Sequence, residues 1–432
     1  MVSLSQKQLI IVITGVVLVA VGAALVVLNV RGGGGGGGAP SVTLSVWGTD
    51  PLDPWSALID SYRAYRPNAS VNYRQVNPAN YKDALLNALA AGEGPDVFFI
   101  GNHDLLSEIN KIIPANPRQI DLLRLRELYP AAVEQDFYYR GQIYALPLYM
   151  DTMVMLYNRD LLDQAGVAVP PKDWDEFLRV VPQLRRLGVA GAIERAAAAI
   201  GGSERSVDSG VDLLNLLMLQ NGTTMTNEDM NGAAFASGPS GLAGYRAFDF
   251  YVQFANSSSP YFTWNDSQTN SLEAFARGKV AIIFNYLSSL PTIKNISPFL
   301  RIGTSPMLQP KGAEVEISYA RYEGLAVSRQ SKSSNWAWDF VVYASTNGNA
   351  AKAYAASTGR LPALRALIAE KLNDVNLSVF ARQILTARSW LYPAGNVNDI
   401  LSRAIQSVLT GQSNTNQALK QAEGQVSQLY PR

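Results

Sequence analysis

The residues best suited to chemistry in this chain are carboxylates, amides, an arginine and aromatic rings, gathered where apolar runs end. Trp47, Gly48, Thr49 and Asp50 close the run SVTLSVW, and Asn102, His103 and Asp104 follow PDVFFI. Asn285 and Tyr286 end VAIIFN, while Tyr319, Tyr322 and Glu323 precede Gly324. Asp151 follows Pro147 in QIYALPLYMDTMVMLYN, Trp264 stands in the aromatic loop PYFTWND, and Arg360 in TGRLP. Ionised groups bind hydroxyls through charge-assisted hydrogen bonds, and ring faces cover flat C–H surfaces. These types can hold a small polar molecule. Hydrolysis of a glycoside needs two carboxyl groups flanking one bond. Asp151 with Glu323 or Asp50 could be recruited to it, but no nucleophile motif or phosphate loop accompanies them. His103 is the only histidine and there is no cysteine. A zinc site therefore has no ligand set, and no metal or other cofactor is expected. Most candidates carry a plain alternative. Trp47 serves the core or a ligand, and Asp50 a ligand or the next turn. Asn102 and Asp104 contact a ligand or cap the helix that starts there, and the Trp264 loop binds something or packs on its own surroundings.

The elements that carry these residues alternate in type. Ser41–Trp47 alternates polar and apolar, the period of a strand. Trp55–Tyr65 has helical spacing ended by Pro67, and Ser70–Val76 alternates again. Tyr81–Ala91 is a helix stopped by Gly92, and Pro95–Ile100 reads as a buried parallel strand. That order predicts a parallel α/β layer. Further on, Gln142–Asn158 is extended and broken by Pro147. Asp173 opens a helix as N-cap with Glu176 three residues later, a capping box. Helices are expected over Asp208–Gln220, Gly241–Phe254, Ser271–Arg277 and Asn335–Ala344, strands over Val280–Asn285 and Leu325–Ser328, and mostly helix after Ala350.

Size and charge narrow the reading. Residues 41–432, about 390 of them, exceed the ~250–300 that one core takes up, so two lobes with a cleft between them are expected. Lys plus Arg is 36 against 35 for Asp plus Glu, which argues against nucleic acid as a main partner. Without cysteine the fold stands on its core and not on disulfides. Ahead of this body, Leu9–Leu28 (LIIVITGVVLVAVGAALVVL) runs twenty residues without a charge. Such a run spans a bilayer core of roughly 30 Å and exceeds the about 7–15 apolar residues of a cleaved signal. We expect a cytoplasmic tail over 1–8, a retained transmembrane anchor over 9–30, and a Gly-rich linker over 31–40, whose run Gly32–Gly38 has a reach of about 15 Å. The body then lies outside the cytoplasm, at the cell surface or in a periplasm.

Several segments, in their order and spacing, resemble the extracellular solute-binding proteins of ABC importers, in the large sugar-binding family that includes maltose-binding protein. They are Gly94–Val97 (GPDV), Tyr144–Pro147 (YALP) followed by Leu156–Leu162 (LYNRDLL), Pro170–Phe177 (PPKDWDEF), Phe275–Ala281 (FARGKVA), Gly324–Ser328 (GLAVS), Trp336–Phe340 and Thr358–Pro362 (TGRLP). The resemblance implies an α/β, two-lobed periplasmic-binding-protein-like clamp of type II that closes on its ligand by hinge motion. It implies three inter-lobe crossings, near Leu148–Asp151, Gly303–Pro306 and Tyr343–Asn347. The lobes would be 41–150 with 305–345, and 151–304 with 346–432. Asp151 would be the ligand-binding acid of the first crossing, or else a hinge-capping carboxylate. Arg360 would lie near the cleft, or pair with a carboxylate at a helix end. Many relatives place a tryptophan directly before the glycine found here at 324. This chain has Glu323, which departs from a plain sugar platform and admits a ligand with donor or positive groups. The ligand-binding set implied is Trp47, Asp50, Asn102, Asp104, Asp151, Trp264, Asn285, Tyr286, Tyr322, Glu323 and Arg360. The implied function is a monomeric, membrane-anchored, extracytoplasmic receptor that hands a carbohydrate to an ABC permease, without enzyme activity. A surface sensor or scaffold that binds solute without import is the alternative, and a glycoside hydrolase a more distant one.

Overall fold

The alternating run after Pro40 forms the strand Val42–Gly48, whose Leu44 and Val46 are fully buried. It lies parallel to Ala69–Gln75 on one side and to Val97–Gly101 on the other. The computed structural model describes residues 41–430 apart from Pro239 and Ala394. The expected anchor over 9–30 and the linker over 31–40 lie outside the described residues. Among the described residues no helix is long and apolar enough to cross a membrane.

Helices connect these strands as the spacing predicts. Leu52–Tyr65 stops just before Pro67, and Tyr81–Ala91 ends at Gly92, whose φ of 75° is cheap only without a Cβ. A much later strand, Glu323–Ser328, joins antiparallel beside Val97–Gly101, and Ala145–Pro147 pairs with it in turn. The first-lobe layer is therefore parallel over its first three strands and mixed beyond them.

The second lobe is built on Arg186–Leu187, Ile193–Ala198, Val280–Asn285, Val154–Asn158 and Ile302–Ser305, in that order across the sheet. Every residue of Val280–Asn285 is buried. A strand covered on both faces is apolar throughout, and so it reads as an unbroken run in the sequence. The helix Trp174–Leu184 packs on Ile193–Ala198. Its cap matches the predicted box at one end: Asp173 Oδ1 accepts from Glu176 N at 2.7 Å. The return bond goes one residue further back, from Lys172 N to Glu176 Oε2 at 3.1 Å.

Between the lobes lies a small sheet of Leu361–Pro362, Tyr149–Thr152, Ser318–Arg321 and Ala387–Arg388. The chain leaves the first sheet at Pro147 and enters the second at Val154 through Tyr149–Thr152. It returns through Ser318–Arg321, with Arg321 opposite Asp151 and Ala320 opposite Thr152. Two antiparallel strands side by side thus form the hinge.

Two crossings fall elsewhere than expected. Gly303–Ser305 pairs with Val154–Asn158 inside the second lobe, and Gln309 bridges to Asp173 there. The second crossing is therefore Ser318–Tyr322. The helix Gly348–Thr358 packs on Leu52–Tyr65 of the first lobe, so residues after 346 do not all belong to the second. Asn347 ends the helix Ser334–Thr346 and caps the next, accepting from Ala350 N at 3.0 Å. It turns a helical hairpin within one lobe. The chain touches the second lobe again at Trp390, beside Phe235, and at Tyr392, whose OH accepts from Asn215 Nδ2 at 3.0 Å, and then packs on Gly210–Gln220 through Val397–Leu409.

Candidate functional site

Where the two lobes meet the hinge there is a cavity of about 610 Å³. The first lobe lines it with Gly101–Asp104, at the carboxyl end of a strand, with Glu323, and with Thr358–Arg360. The hinge contributes Tyr149, Asp151, Arg321 and Tyr322, and the second lobe Asp212, Tyr286–Ser288 and Asn398. Loops leaving the carboxyl ends of strands from both lobes converge here, which is where open α/β sheets take ligands.

Asp151 forms part of the floor and is 8% exposed. Its Oδ1 accepts from Thr152 N at 2.9 Å and Leu287 N at 3.0 Å, and its Oδ2 from Ser288 N at 2.9 Å. Burial pushes its pKa up to about 6 although these N–H groups favour the anion. A carboxylate offers about four acceptor sites, so roughly one is left for a ligand. Arg321 stands beside it with a side chain 61% exposed, open to cleft water. Its Nη1 is 3.7 Å from Asp212 Oδ2, and its guanidinium lies 5.7 Å over the Tyr286 ring. Asp212 is buried and accepts from Tyr286 OH at 2.7 Å.

The first-lobe wall rests on a long-range ion pair. Arg360 grips Asp50 with two bonds, Nη2 to Oδ1 at 2.8 Å and Nη1 to Oδ2 at 3.1 Å. Tyr354 OH also donates to Asp50. The same guanidinium lies 4.0 Å over the Tyr149 ring, a cation–π contact. Tyr149 OH donates to Glu323 Oε2 at 2.6 Å, and burial raises the pKa of Glu323. Asn102 borders the cavity, yet its amide is spent on structure. Nδ2 donates to Asp136 Oδ2 at 3.0 Å, and Oδ1 accepts from Tyr322 N at 3.1 Å. Tyr322 OH donates to the same carboxylate at 2.6 Å, and burial raises the pKa of Asp136. His103 stacks on Tyr392 at 4.6 Å. Its Nδ1 lies 3.1 Å from Trp390 O, a carbonyl that can only accept, so Nδ1 carries the proton.

Residues 48–351 match the family model described as bacterial extracellular solute-binding protein. The chain belongs to that family. This solute-binding protein is 23% identical over 380 residues to a binding protein of Brucella abortus (strain 2308), across 85% of this chain and 88% of that one. It is 25% identical over 340 residues to the maltotriose-binding protein of Pyrococcus abyssi, across 75% of this chain and 65% of the other. Among solved structures, the cyclic α-maltosyl-1,6-maltose binding protein of Arthrobacter globiformis superposes with a TM-score of 0.73 at 18% identity, over 90% of this chain and 99% of that one. The sugar-binding protein MalE of Xanthomonas citri gives 0.73 at 20% identity, over 90% and 97%. These likenesses place the α/β, two-lobed periplasmic-binding-protein-like fold beyond question.

The fold brings Asn102, Asp104, Asp151, Tyr286, Tyr322, Glu323 and Arg360 of the expected set to one cavity. It places the others elsewhere. Trp47 is buried beneath Arg74, whose guanidinium is 4.2 Å from its ring. Asp50 stands behind Arg360 and does not line the cavity. Asn285 is buried in the wall, where Nδ2 donates to Asp208 Oδ2 at 2.9 Å and Oδ1 accepts from Tyr286 N at 2.8 Å. Trp264 is 1% exposed, with Nε1 donating to Ser206 Oγ at 3.2 Å. Its loop folds inward because Asp266 is held by Ser203 and Ser206. Tyr319 is fully buried and stacks on His103 at 5.5 Å. Reasoning from sequence missed Arg321, Asp212, Tyr149 and Lys82, which line the cavity. Arg321 adjoins the singled-out Tyr322 and Glu323, a signal that was available. Asp212 lay inside an expected helix, where composition does not say which face meets a ligand.

Proposed function

We propose that this solute-binding protein is a membrane-tethered, extracytoplasmic receptor that captures a sugar or oligosaccharide and delivers it unaltered to an ABC permease. The observation that carries the reading is the cavity itself, with one wall from each lobe and a floor from the two hinge strands. A ligand that touches both walls favours the shut form over the open one. Relatives named for maltotriose and for other sugars support carbohydrate as the ligand class. Micromolar affinity takes about 8 kcal/mol, within reach of several charge-assisted hydrogen bonds from Asp104, Glu323, Arg321 and Arg360. Capture without turnover fits the cleft acids: three backbone N–H groups hold Asp151, and Tyr149 holds Glu323. The apolar run Leu9–Leu28 supports the tether, and the body acts as a monomer. A receptor held near its permease meets it at a raised local concentration.

Small-angle scattering of the full chain with maltotriose, cellobiose and chitobiose tests the clamp. A ligand that raises the melting temperature is expected to reduce the radius of gyration as well. A ligand that binds tightly and leaves the radius unchanged refutes hinge closure. Membrane fractionation tests the tether, because deletion of residues 1–40 is expected to move the body into the soluble fraction.

A further inference from the structure

Around Gly101, on the first-lobe wall of the cleft, the hydrogen-bonding capacity left open leans to acceptors. Glu323 pairs in register with Gly101, and a Cβ on Gly101 would stand 2.8 Å from Asp104 Oδ2. Two carboxyl groups therefore rise from neighbouring strand ends around one glycine. Both border the main cavity and an adjoining chamber of about 260 Å³ in the first lobe, which Lys82 also borders. Among the described residues the Asp104 carboxylate accepts no hydrogen bond, and Glu323 accepts one, from Tyr149. His103 Nε2, an acceptor in the neutral ring once Nδ1 holds the proton, is buried without a partner. So is the amide oxygen of Asn398, on the same cavity. Unpaired buried acceptors are costly, and these two add to the acceptor-rich character of this end of the cleft.

The two arginines of the cleft differ. Arg360 is held by Asp50, whereas Arg321, on the hinge, lies 3.7 Å from Asp212 and donates to Ser209 Oγ at 3.4 Å. Lys82 faces Asp104 and Glu323 and lies within 4.0 Å of neither, while Arg360 and Arg321 also act on Glu323. The faces of Tyr149 and Tyr286, on which a neutral sugar ring would stack, lie under Arg360 and Arg321. Burial raises the pKa of both Asp104 and Glu323, and a cation seated between them restores their charged forms.

We infer that the cleft selects a saccharide bearing a protonated amine, which Asp104 and Glu323 receive at the mouth of the side chamber. This inference rests on the reading of the protein as a sugar receptor. An ammonium brings three charged donors to a site rich in acceptors, where a hydroxyl brings one neutral donor.

Isothermal titration of the full-length protein near neutral pH decides it, with four titrants: the β-1,4-linked glucosamine disaccharide, its N-acetylated twin, maltose, and 1,4-diaminobutane. The free-amine disaccharide is expected to bind at least about tenfold tighter than its twin, a difference of about 1.4 kcal/mol. Asp104→Asn and Glu323→Gln are each expected to shrink that ratio, and thermal unfolding of the unliganded variants checks that each is folded. If one variant fails to fold, the other carries the test. Equal or tighter binding of the twin or of maltose overturns the amine inference and leaves the sugar receptor standing. An amine preference that survives both substitutions overturns the assignment to these carboxylates. Binding of the diamine alone overturns the sugar reading, and binding of none of the four overturns both.

Discussion

Glu204 offers a direct test of how burial and hydrogen bonding are balanced in the cleft wall. Its Oε1 accepts from Val211 N at 2.7 Å and so closes the start of the helix Gly210–Gln220, which brings Asp212 to the cavity. Ser209, the residue at the cap position, has a φ of 61° and makes no side-chain cap bond, so Glu204 supplies the acceptor instead. Burial lifts the pKa of Glu204 from 4.5 to about 7, with Asp212 and Asp208 adding to the effect. The folded pKa lies above the unfolded one, so the folded state holds the proton more tightly. The stability this gives is fully present below about pH 4.5 and is lost as pH rises through about 7. A rise of about 2.5 at 1.36 kcal/mol per pH unit is about 3 kcal/mol. Glu204 is half-buried, and solvent screening reduces this to about 2 kcal/mol. Glu204→Gln keeps a carbonyl oxygen for Val211 N and does not titrate. The variant is therefore expected to match the wild type near pH 4.5 and to exceed it by about 2 kcal/mol near pH 8. With an unfolding entropy of roughly 2.1 cal/mol/K per residue over about 390 residues, that is about 2–3 °C in melting temperature. Thermal unfolding of both proteins at both pH values measures it. Asp151 titrates in the same range but is present in both, so it cancels in the difference. A variant-minus-wild-type difference that is the same at both pH values would refute the reasoning.

Other perturbations probe the hinge and the walls. Asp50→Asn leaves the Arg360 guanidinium without its bidentate partner and is expected to cost about 3 kcal/mol in urea unfolding; a loss within about 0.5 kcal/mol would show that the pair is solvated. Asp151→Ala strips the acceptor from Leu287 N and Ser288 N, at about 1–3 kcal/mol. Hydrogen exchange at those two amides should quicken, and unchanged protection would mean that other acceptors take over. Gly244→Ala would drive a Cβ into the backbone carbonyl oxygen of Phe235. Backbone cannot swing aside, so a loss of more than about 3 kcal/mol or failure to fold is expected, and a melting temperature close to that of the wild type would contradict the packing described.

Features written in local chemistry were legible from the residues. Gly92 ends its helix because only glycine enters the left-handed region cheaply, and Asp173 caps the next residues because its carboxylate reaches Glu176 N. The apolar run in PDVFFI read directly as a buried strand, and Val97–Ile100 are buried. The loop after PDVFFI reaches the cavity because it leaves the carboxyl end of a strand. Features that depend on parity or packing were not legible. Asn285 and Tyr286 are neighbours, yet the first is locked in the wall to Asp208 while the second borders the cavity. Side chains alternate along a strand, so a strand end alone does not say which of two residues faces a ligand. Aromatic density around Trp264 looks the same whether the rings bind or pack, and in this fold they pack. The hairpin around Asn347 has the same local signature whichever lobe it joins.

Residue order by itself determined which segments coil, which extend and where most of them stop, because those choices turn on hydrogen bonds and steric limits within a few residues. The length of the body also pointed to two lobes, and the apolar run ahead of it is long enough to span a bilayer. Only the tertiary structure decided which polar groups share the cleft. Asp50 meets Arg360 across 310 positions of chain, and Arg321 faces both Asp151 and Asp212 only because two hinge strands lie side by side. Such pairings depend on how whole elements pack, and burial then sets which acceptors are satisfied and which remain open to a ligand.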